Sequence, residues 1–112
     1  NLWLIQEGMC FLFLPHTSAS LLIAENADPS AKLDIETYFE RLVGEDQPWM
    51  THTLEGKDDS SSHIRSALTV TDLCIPIEDG HLALGTWQGI YLFEHRSHRQ
   101  HRRVLLRCMK VE

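Results

Sequence analysis

Three things that the chain lacks restrict the class of protein it can be. With 10 Lys and Arg against 16 Asp and Glu, the formal net charge is -6. This argues against wholesale nucleic-acid binding, because phosphate recognition needs a basic face. No apolar run approaches the roughly 20 residues that cross a bilayer, since the longest, Met9–Leu14, has the length of a strand. The cysteines number 3, each in an apolar run, and indicate buried free thiols in a reducing compartment rather than a disulfide framework.

What is present is typical of one globular domain. Apolar residues make up 43% and charged residues 23% of the 112 positions, which is enough to bury a core without a structural metal. The chain opens on Asn1, close to the first predicted strand, with nothing that resembles a signal peptide. We therefore expect an upstream strand segment to be missing from this sequence.

Apolar runs bounded by turn residues predict a strand-rich domain. The predicted strands are Met9–Leu14, Ser20–Ala24, Asp72–Ile77, Leu82–Thr86, Ile90–His95 and Val104–Met109. The first is apolar at every position and ends before Pro15, which predicts a strand buried on both faces.

One amphipathic helix is predicted from about Pro29 to Val43. Asp28 is the expected N-cap and Pro29 the first helical residue, where no N–H is needed. Gly44 is the expected C-cap. The apolar side chains that recur at helical spacing are Ala31, Ile35, Tyr38, Phe39 and Leu42. A second, short helix is expected through Ile64 and Leu68, capped by one of the serines 60–62. The fold class predicted from these elements is α+β.

Imidazole and carboxylate groups are dense between His52 and His63, a stretch that also holds Asp58 and Asp59 around Gly56. This pattern predicts a divalent metal site, with zinc as the favoured ion and with Asp59 or His16 completing the ligands of His52 and His63. The same three groups, His52, Asp59 and His63, could instead act as metal-free acid–base catalysts. A third interpretation is that the histidines only tie a loop to the core.

Further polar residues are candidates for substrate binding. Glu25 and Asn26 precede the N-terminus of the long helix, where free N–H groups can receive phosphate. Gln88 is a neutral amide beside Gly89, so a ligand could approach it closely. Arg65 and Arg96 could neutralise phosphate.

Three segments also have simpler interpretations. Asp28 competes for the helix N–H groups as a cap, and Trp87 is more typical of a core or a subunit interface than of a stacking platform. The basic run 95–103 is more typical of a solvated loop between two strands than of a phosphate site. Arg96 in this run alternates with Glu94 along the strand end and could pair with it. Ser18 could be a nucleophile with His16 or His63 as its base, but no nucleophile elbow surrounds it.

Four segments occur in an order that resembles one known family. They are His16-Thr17-Ser18-Ala19-Ser20-Leu21, Glu25-Asn26-Ala27-Asp28-Pro29, the stretch from His52 through Glu55, Gly56, Asp58 and Asp59 to His63-Ile64, and Gly85-Thr86-Trp87-Gln88-Gly89-Ile90. The chain resembles the YjbQ-like family over roughly residues 9 to 107. The resemblance implies a mostly antiparallel, sandwich-like α+β fold and a homotrimer. It also implies a weak secondary thiamine-phosphate synthase activity, which joins a pyrimidine diphosphate to a thiazole phosphate.

The chain departs from the family pattern at two places. Relatives usually carry Met-Pro-Ala or Met-Pro-Ser where this chain has Ser60-Ser61-Ser62, and the end from Cys108 to Glu112 differs from the usual tail. Neither change removes a candidate chemical group. The sequence therefore predicts a small cytoplasmic enzyme that acts on a phosphorylated heterocycle, with no nucleic-acid or membrane partner. The alternative is a non-catalytic oligomeric module that binds a metal or a small anion.

Overall fold

The computed structural model describes residues 4–111 and contains two helices and six strands. In chain order they are β1 (Gly8–Phe13), β2 (Ala19–Glu25), α1 (Pro29–Leu42), α2 (Asp59–Leu68), β3 (Asp72–Glu78), β4 (His81–Leu82), β5 (Gln88–Glu94) and β6 (Leu105–Lys110).

All strand pairs are antiparallel, so the α+β class and the mostly antiparallel arrangement are confirmed. One sheet has the order β4-β3-β1-β6, and β2 and β5 form a second sheet. The segment after α2 joins them, because the N–H of Leu21 in β2 donates to the carbonyl of Val70. The core lies between these elements and consists of Cys10, Leu12, Leu14, Ala19, Leu21, Ile75 and Ile77.

The first strand is buried on one face, and the expectation of two buried faces is wrong for this chain. Cys10 and Leu12 point into the core, whereas Phe11 and Phe13 are 40% and 47% exposed. Strand side chains alternate between faces, so one face stays uncovered when no second layer lies on it. Cys74, opposite Phe11 in β3, is exposed for the same reason. The three cysteines are free, as expected, but only Cys10 is fully buried.

The long helix begins as predicted and ends one residue early. An oxygen of Asp28 accepts from the N–H of Ser30 at 2.9 Å, and Pro29 is the first helical residue. The C-cap is Val43, whose φ of -125° is extended rather than left-handed, so the prediction of Gly44 is wrong. Burial of Val43 draws the chain inward at this point. Of the predicted apolar face, Tyr38 and Leu42 are more than half exposed.

Two other boundaries differ from the prediction. Strand β4 ends at Leu82 rather than continuing to Thr86, because the N–H of Gly85 donates to the side chain of Gln88 and closes a turn. Helix α2 begins at Asp59, so Ser61 and Ser62 lie inside its first turn instead of capping it. Their buried hydroxyls donate to the carbonyls of Asp58 and Asp59. Within residues 4–111, no helix is long and apolar enough to cross a membrane.

Candidate functional site

Helix α2 places a carboxylate and an imidazole on one side of its first turn. Asp59 and His63 are four residues apart, a spacing that brings helical side chains together. The Oδ2 atom of Asp59 lies 3.0 Å from Nε2 of His63 and 2.6 Å from Nε2 of His52, which comes from the preceding loop. The two imidazole rings are 5.2 Å apart between centroids. The predicted convergence of His52 and His63 is confirmed, and we call the three residues the Asp59 cluster.

Arg96 holds the carboxylates at the start of α2. Its Nη1 donates to Oδ1 of Asp59 at 2.9 Å, and its Nε donates to Oδ2 of Asp58 at 3.1 Å. Nη2 donates to the carbonyl of Glu55, which fixes the loop that carries His52. The backbone N–H and the hydroxyl of Ser97 also donate to Asp58. Asp59 therefore cannot swing away from the imidazoles without breaking a buried ion pair.

Both carboxyl groups are held in the ionised form. Hydrogen bonds from Arg96, opposed by burial and supported by Ser97, lower the pKa of Asp58 well below its usual range. Burial acts to raise the pKa of Asp59, but hydrogen bonds and charge from His52, His63 and Arg96 outweigh it, and this pKa is lowered as well.

The orientation of His63 determines what can lie between its ring and Asp59. Nδ1 lies 2.8 Å from the carbonyl oxygen of Thr17, which can only accept, so Nδ1 carries a proton. In the neutral ring Nε2 is then a lone pair, 3.0 Å from a carboxylate oxygen. Two lone pairs at this distance repel each other. The contact is favourable only if Nε2 is protonated or if a cation lies between the two atoms.

The Asp59 cluster has the ligands and the charge of a cation site. One ligand atom from each of the three residues lies within 4.8 Å of the others. Two ligands on one tetrahedral zinc ion are roughly 3.3 Å apart, given bonds of about 2.0–2.1 Å, so small side-chain shifts would suffice. Asp58 and Asp59 together outweigh the single positive charge of Arg96. With neutral imidazoles the site is therefore negative and attracts a cation.

His16 and Ser18 lie outside the Asp59 cluster. Nε2 of His16 accepts from the backbone N–H of Arg103 at 2.9 Å, and His16 is not among the ligand atoms that converge with Asp59. The hydroxyl of Ser18 accepts from Nη2 of Arg102. Among residues 4–111, no imidazole is within hydrogen-bond distance of that hydroxyl, so the geometry does not favour a serine nucleophile.

Three of the predicted substrate-binding residues lie at the far end of the β2–β5 pair. The carboxylate of Glu25 accepts from the N–H groups of Ala27 and Asp28, and the amide of Asn26 donates to the carbonyls of Thr86 and Gln88. Gln88 begins β5, whereas Arg96 follows its other end. At about 3.3 Å per residue, the length of β5 separates the two groups by about 20 Å. Within one chain, Glu25, Asn26 and Gln88 are therefore remote from the Asp59 cluster.

The basic run 95–103 is not a solvated loop throughout. His95 is buried, and the side chains of Arg96 and Arg102 are 14% and 10% exposed. Glu94 pairs with Arg102, not with the side chain of Arg96 as the alternation suggested. The fifth predicted binding residue, Arg65, lies on α2 and is 9% exposed. The sequence does not predict the pairing of Asp58 with Arg96, because nothing in it marks Asp58 except its position next to Asp59.

Comparison with known proteins places the whole described chain in one family. The model of the UPF0047 protein YjbQ-like family matches residues 3–111. The chain is 50% identical to UPF0047 protein sll1880 of Synechocystis over 91% of its own length and 69% of that protein. It is 43% identical to UPF0047 protein YjbQ of Salmonella typhimurium over 90% and 72% of the two chains.

Solved structures agree with this assignment. The chain superposes with a TM-score of 0.83 on a conserved hypothetical protein from Thermus thermophilus, at 36% identity and covering 93% of this chain and 79% of that one. For a YjbQ/UPF0047 protein of Clostridium acetobutylicum the TM-score is 0.81 at 35% identity, covering 94% and 78%. The similarity in sequence and fold spans nearly all of the chain, which therefore belongs to the YjbQ-like UPF0047 family.

Proposed function

We propose that the protein is a metal-dependent enzyme that acts on a phosphorylated heterocycle, with the cation held by His52, Asp59 and His63. The observation that carries the proposal is the contact between Nε2 of His63 and Oδ2 of Asp59. When the His63 ring is neutral, these two atoms repel each other unless a positive charge lies between them. The resemblance to secondary thiamine-phosphate synthases supplies the reaction class.

The charge of the Asp59 cluster favours a metal over a bare acid–base site. One uncompensated negative charge would repel a phosphate, and most N–H groups of Arg96 are already used by Asp58, Asp59 and Glu55. A divalent cation reverses the sign of the site and can accept a phosphate oxygen as a further ligand. Arg96 acts in this proposal as the residue that positions Asp59.

The reaction is a displacement at carbon. The ring nitrogen of the thiazole phosphate forms a C–N bond to the methylene carbon of the pyrimidine diphosphate. The bond from that carbon to the diphosphate oxygen breaks, and its electron pair leaves with the diphosphate. Positive charge beside the departing diphosphate lowers the barrier most, because negative charge develops there in the transition state.

We further propose a homotrimer in the cytoplasm, as the resemblance implies. Support comes from apolar side chains that one copy leaves uncovered: Phe11 and Phe13 on β1, Met109 on β6, and Trp87, which is 65% exposed and so is no part of this chain's core. Exposed large apolar side chains, of which Phe11, Phe13 and Met109 lie on one sheet, are typical of subunit contacts. Glu25, Asn26 and Gln88 could meet the Asp59 cluster of a neighbouring copy.

Metal binding is tested first. Protein freed of metal with a chelator is titrated with Zn²⁺, Mn²⁺ and Mg²⁺ in a calorimeter. The bound metal is then measured by mass spectrometry after dialysis. We expect one ion per chain for the wild type and loss of that ion in His63→Ala. His101→Ala is the matched control, since His101 is an exposed imidazole outside the Asp59 cluster. Equal metal content in the two variants would contradict the proposed site.

Turnover separates the enzyme from the non-catalytic module. Metal-loaded protein is given both thiamine precursors, and thiamine phosphate and released diphosphate are quantified. We expect the wild type and His101→Ala to release thiamine phosphate and diphosphate in equal amounts. His63→Ala should give neither product, while its circular dichroism spectrum matches that of the wild type. If the wild-type protein binds metal tightly but gives neither product, the result would support the alternative function, a non-catalytic module that binds a metal or a small anion.

A further inference from the structure

A second region of the molecule has unused binding groups. Helix α1 packs across the β2–β5 pair and leaves an open cleft of about 660 Å³, which we call the α1 cleft. Its apolar lining includes Leu22, Ile35, Phe39, Tyr91 and Phe93. Cavities of this size accommodate small organic ligands. The polar groups that line it decide which ligand fits.

Arg65 brings a buried positive charge to the α1 cleft. The side chain lines the cleft, the residue is 9% exposed, and Nη2 donates to the carbonyl of Val43 at 2.7 Å. Its Nε is buried without a hydrogen-bond partner. In the part of the chain that the structure describes, Arg65 forms no ion pair. A buried guanidinium without an anionic partner is unfavourable, and an anion would relieve that cost.

His95 also lines the α1 cleft and has a second atom without a hydrogen-bond partner. It is 3% exposed, and its Nε2 lies 2.8 Å from the hydroxyl of Ser20. Its Nδ1 is buried without a partner. Burial, assisted by the charge of Arg65, lowers the pKa of His95 to about 4, so the ring is neutral near pH 7. When Ser20 donates to Nε2, Nδ1 carries the proton and becomes a donor.

We propose that the α1 cleft binds a small flat ring that carries a phosphate group. Side-chain shifts on binding bring Nε of Arg65 and Nδ1 of His95, both closed to solvent in the free protein, to the phosphate oxygens, and the ring packs between Phe39 and Tyr91. Two donors that are unpartnered and buried at one cleft, one of them charged, match an oxyanion. The aromatic and aliphatic lining matches an attached ring better than a free inorganic ion.

Five glutamates also line the α1 cleft, and two of them are paired with cations. Glu94 pairs with Arg102, Glu25 accepts from the first N–H groups before α1, and Glu36 lies 3.9 Å from Lys32. Glu40 and Glu45 are exposed, where water screens their charge. The positive charge of Arg65, in contrast, lies in the buried part of the site.

The α1 cleft and the Asp59 cluster lie on different sides of α2. Successive residues turn by about 100° around a helix, so Arg65 points roughly opposite to His63. Arg96 lines the cleft and also binds Asp59, and is the residue shared by the two regions. The identification of the ligand as a substrate rests on the proposed function, but binding in the cleft does not require the metal.

The test measures ligand binding to protein from which metal has been removed with a chelator, so that no metal contributes. Phenyl phosphate, inorganic phosphate and benzyl alcohol are titrated by calorimetry. We expect phenyl phosphate to bind at least tenfold more tightly than either of the other two. Arg65→Gln should weaken phenyl phosphate at least tenfold. His95→Gln, which can keep the contact to Ser20 but removes Nδ1, should weaken it as well, whereas His95→Asn should bind more tightly than His95→Gln.

His63→Ala is the control that separates the two proposals, and it should bind phenyl phosphate as the wild type does. A second measurement needs no variant: proton resonances of His95 and Phe39 should shift on addition of phenyl phosphate, while those of Leu68 should not. The inference is overturned if those resonances do not move, if Arg65→Gln binds normally, or if His63→Ala abolishes binding. Retained phenyl phosphate binding without metal-dependent turnover would instead overturn the proposed function alone.

Discussion

Nε2 of His63 lies 3.0 Å from Oδ2 of Asp59, while the opposite nitrogen of the same ring donates to the backbone of Thr17. The ring is therefore fixed at Nδ1, and in its neutral form the lone pair of Nε2 faces a carboxylate. Such an arrangement could hold a cation, and the residues around it can be tested separately from the proposed metal.

Replacement of Arg96 by Gln should lower both stability and metal affinity. The guanidinium contacts two buried carboxylates, and removal of one partner from a buried pair costs about 3–5 kcal/mol. Because Arg96 orients Asp59, we also expect metal affinity to fall about 10–100-fold. Urea unfolding and calorimetry measure the two effects. Arg99→Gln, on an exposed arginine, should change the free energy of unfolding by less than about 0.5 kcal/mol.

Stability should fall between pH 6.5 and pH 4 because of His95. Burial lowers the folded-state pKa of His95 from 6.5 to about 4, so in this window the unfolded chain binds a proton that the folded chain does not. The contribution of His95 to the free energy of unfolding then rises with pH across the window and is constant above it, with a total change of about 3 kcal/mol. Chemical unfolding at several pH values measures it. His95→Gln should remove this part of the pH dependence, and an unchanged slope would contradict the assignment.

Truncation of Leu14 should destabilise the core that joins the two sheets. Leu14 is 1% exposed and belongs to the buried cluster of β1, β2 and β3. Leu14→Ala should cost about 3 kcal/mol, since removal of buried methyl groups leaves a cavity. Leu54→Ala, at a position 96% exposed, is the control and should be nearly neutral. Thermal and urea unfolding of the two variants compare them directly.

Replacement of Phe13 by Ser should weaken the proposed trimer without unfolding the monomer. Phe13 is 47% exposed on the uncovered face of the four-stranded sheet, so the isolated chain gains little from it. Light scattering at several protein concentrations should show a trimer for the wild type and smaller species for the variant. A wild type that stays monomeric at all concentrations would contradict the proposal.

The elements that depend on local sequence could be predicted, and so could part of the site. Asp28 and Pro29 fix the start of α1 through contacts within two residues, and Asp59 and His63 meet because a helix brings residues four apart together. Arg96 reaches Asp58 across 38 positions, a contact that no local pattern encodes. The same limit explains why alternation along the strand predicts the wrong arginine for Glu94.

The strand predictions are wrong where side chains replace ladder hydrogen bonds. Residues after Leu82 have apolar character, but the side chain of Gln88 takes the N–H of Gly85 and ends β4 early. The apolar run of β1 overestimates its burial because such a run does not specify whether a second layer exists. Phe11 and Phe13 are as apolar as Cys10 and Leu12, yet only the latter pair faces the core.

Helix α2 carries His63 on one side and Arg65 on the other, and its first turn is anchored by Arg96. A rotation of this helix about its axis moves the two side chains in opposite directions. A ligand that rotated α2 from one region would therefore change the geometry of the other, and by thermodynamic reciprocity each ligand would then alter the affinity for its counterpart by the same factor. One ten-residue helix thus connects the proposed cation site and the proposed oxyanion site.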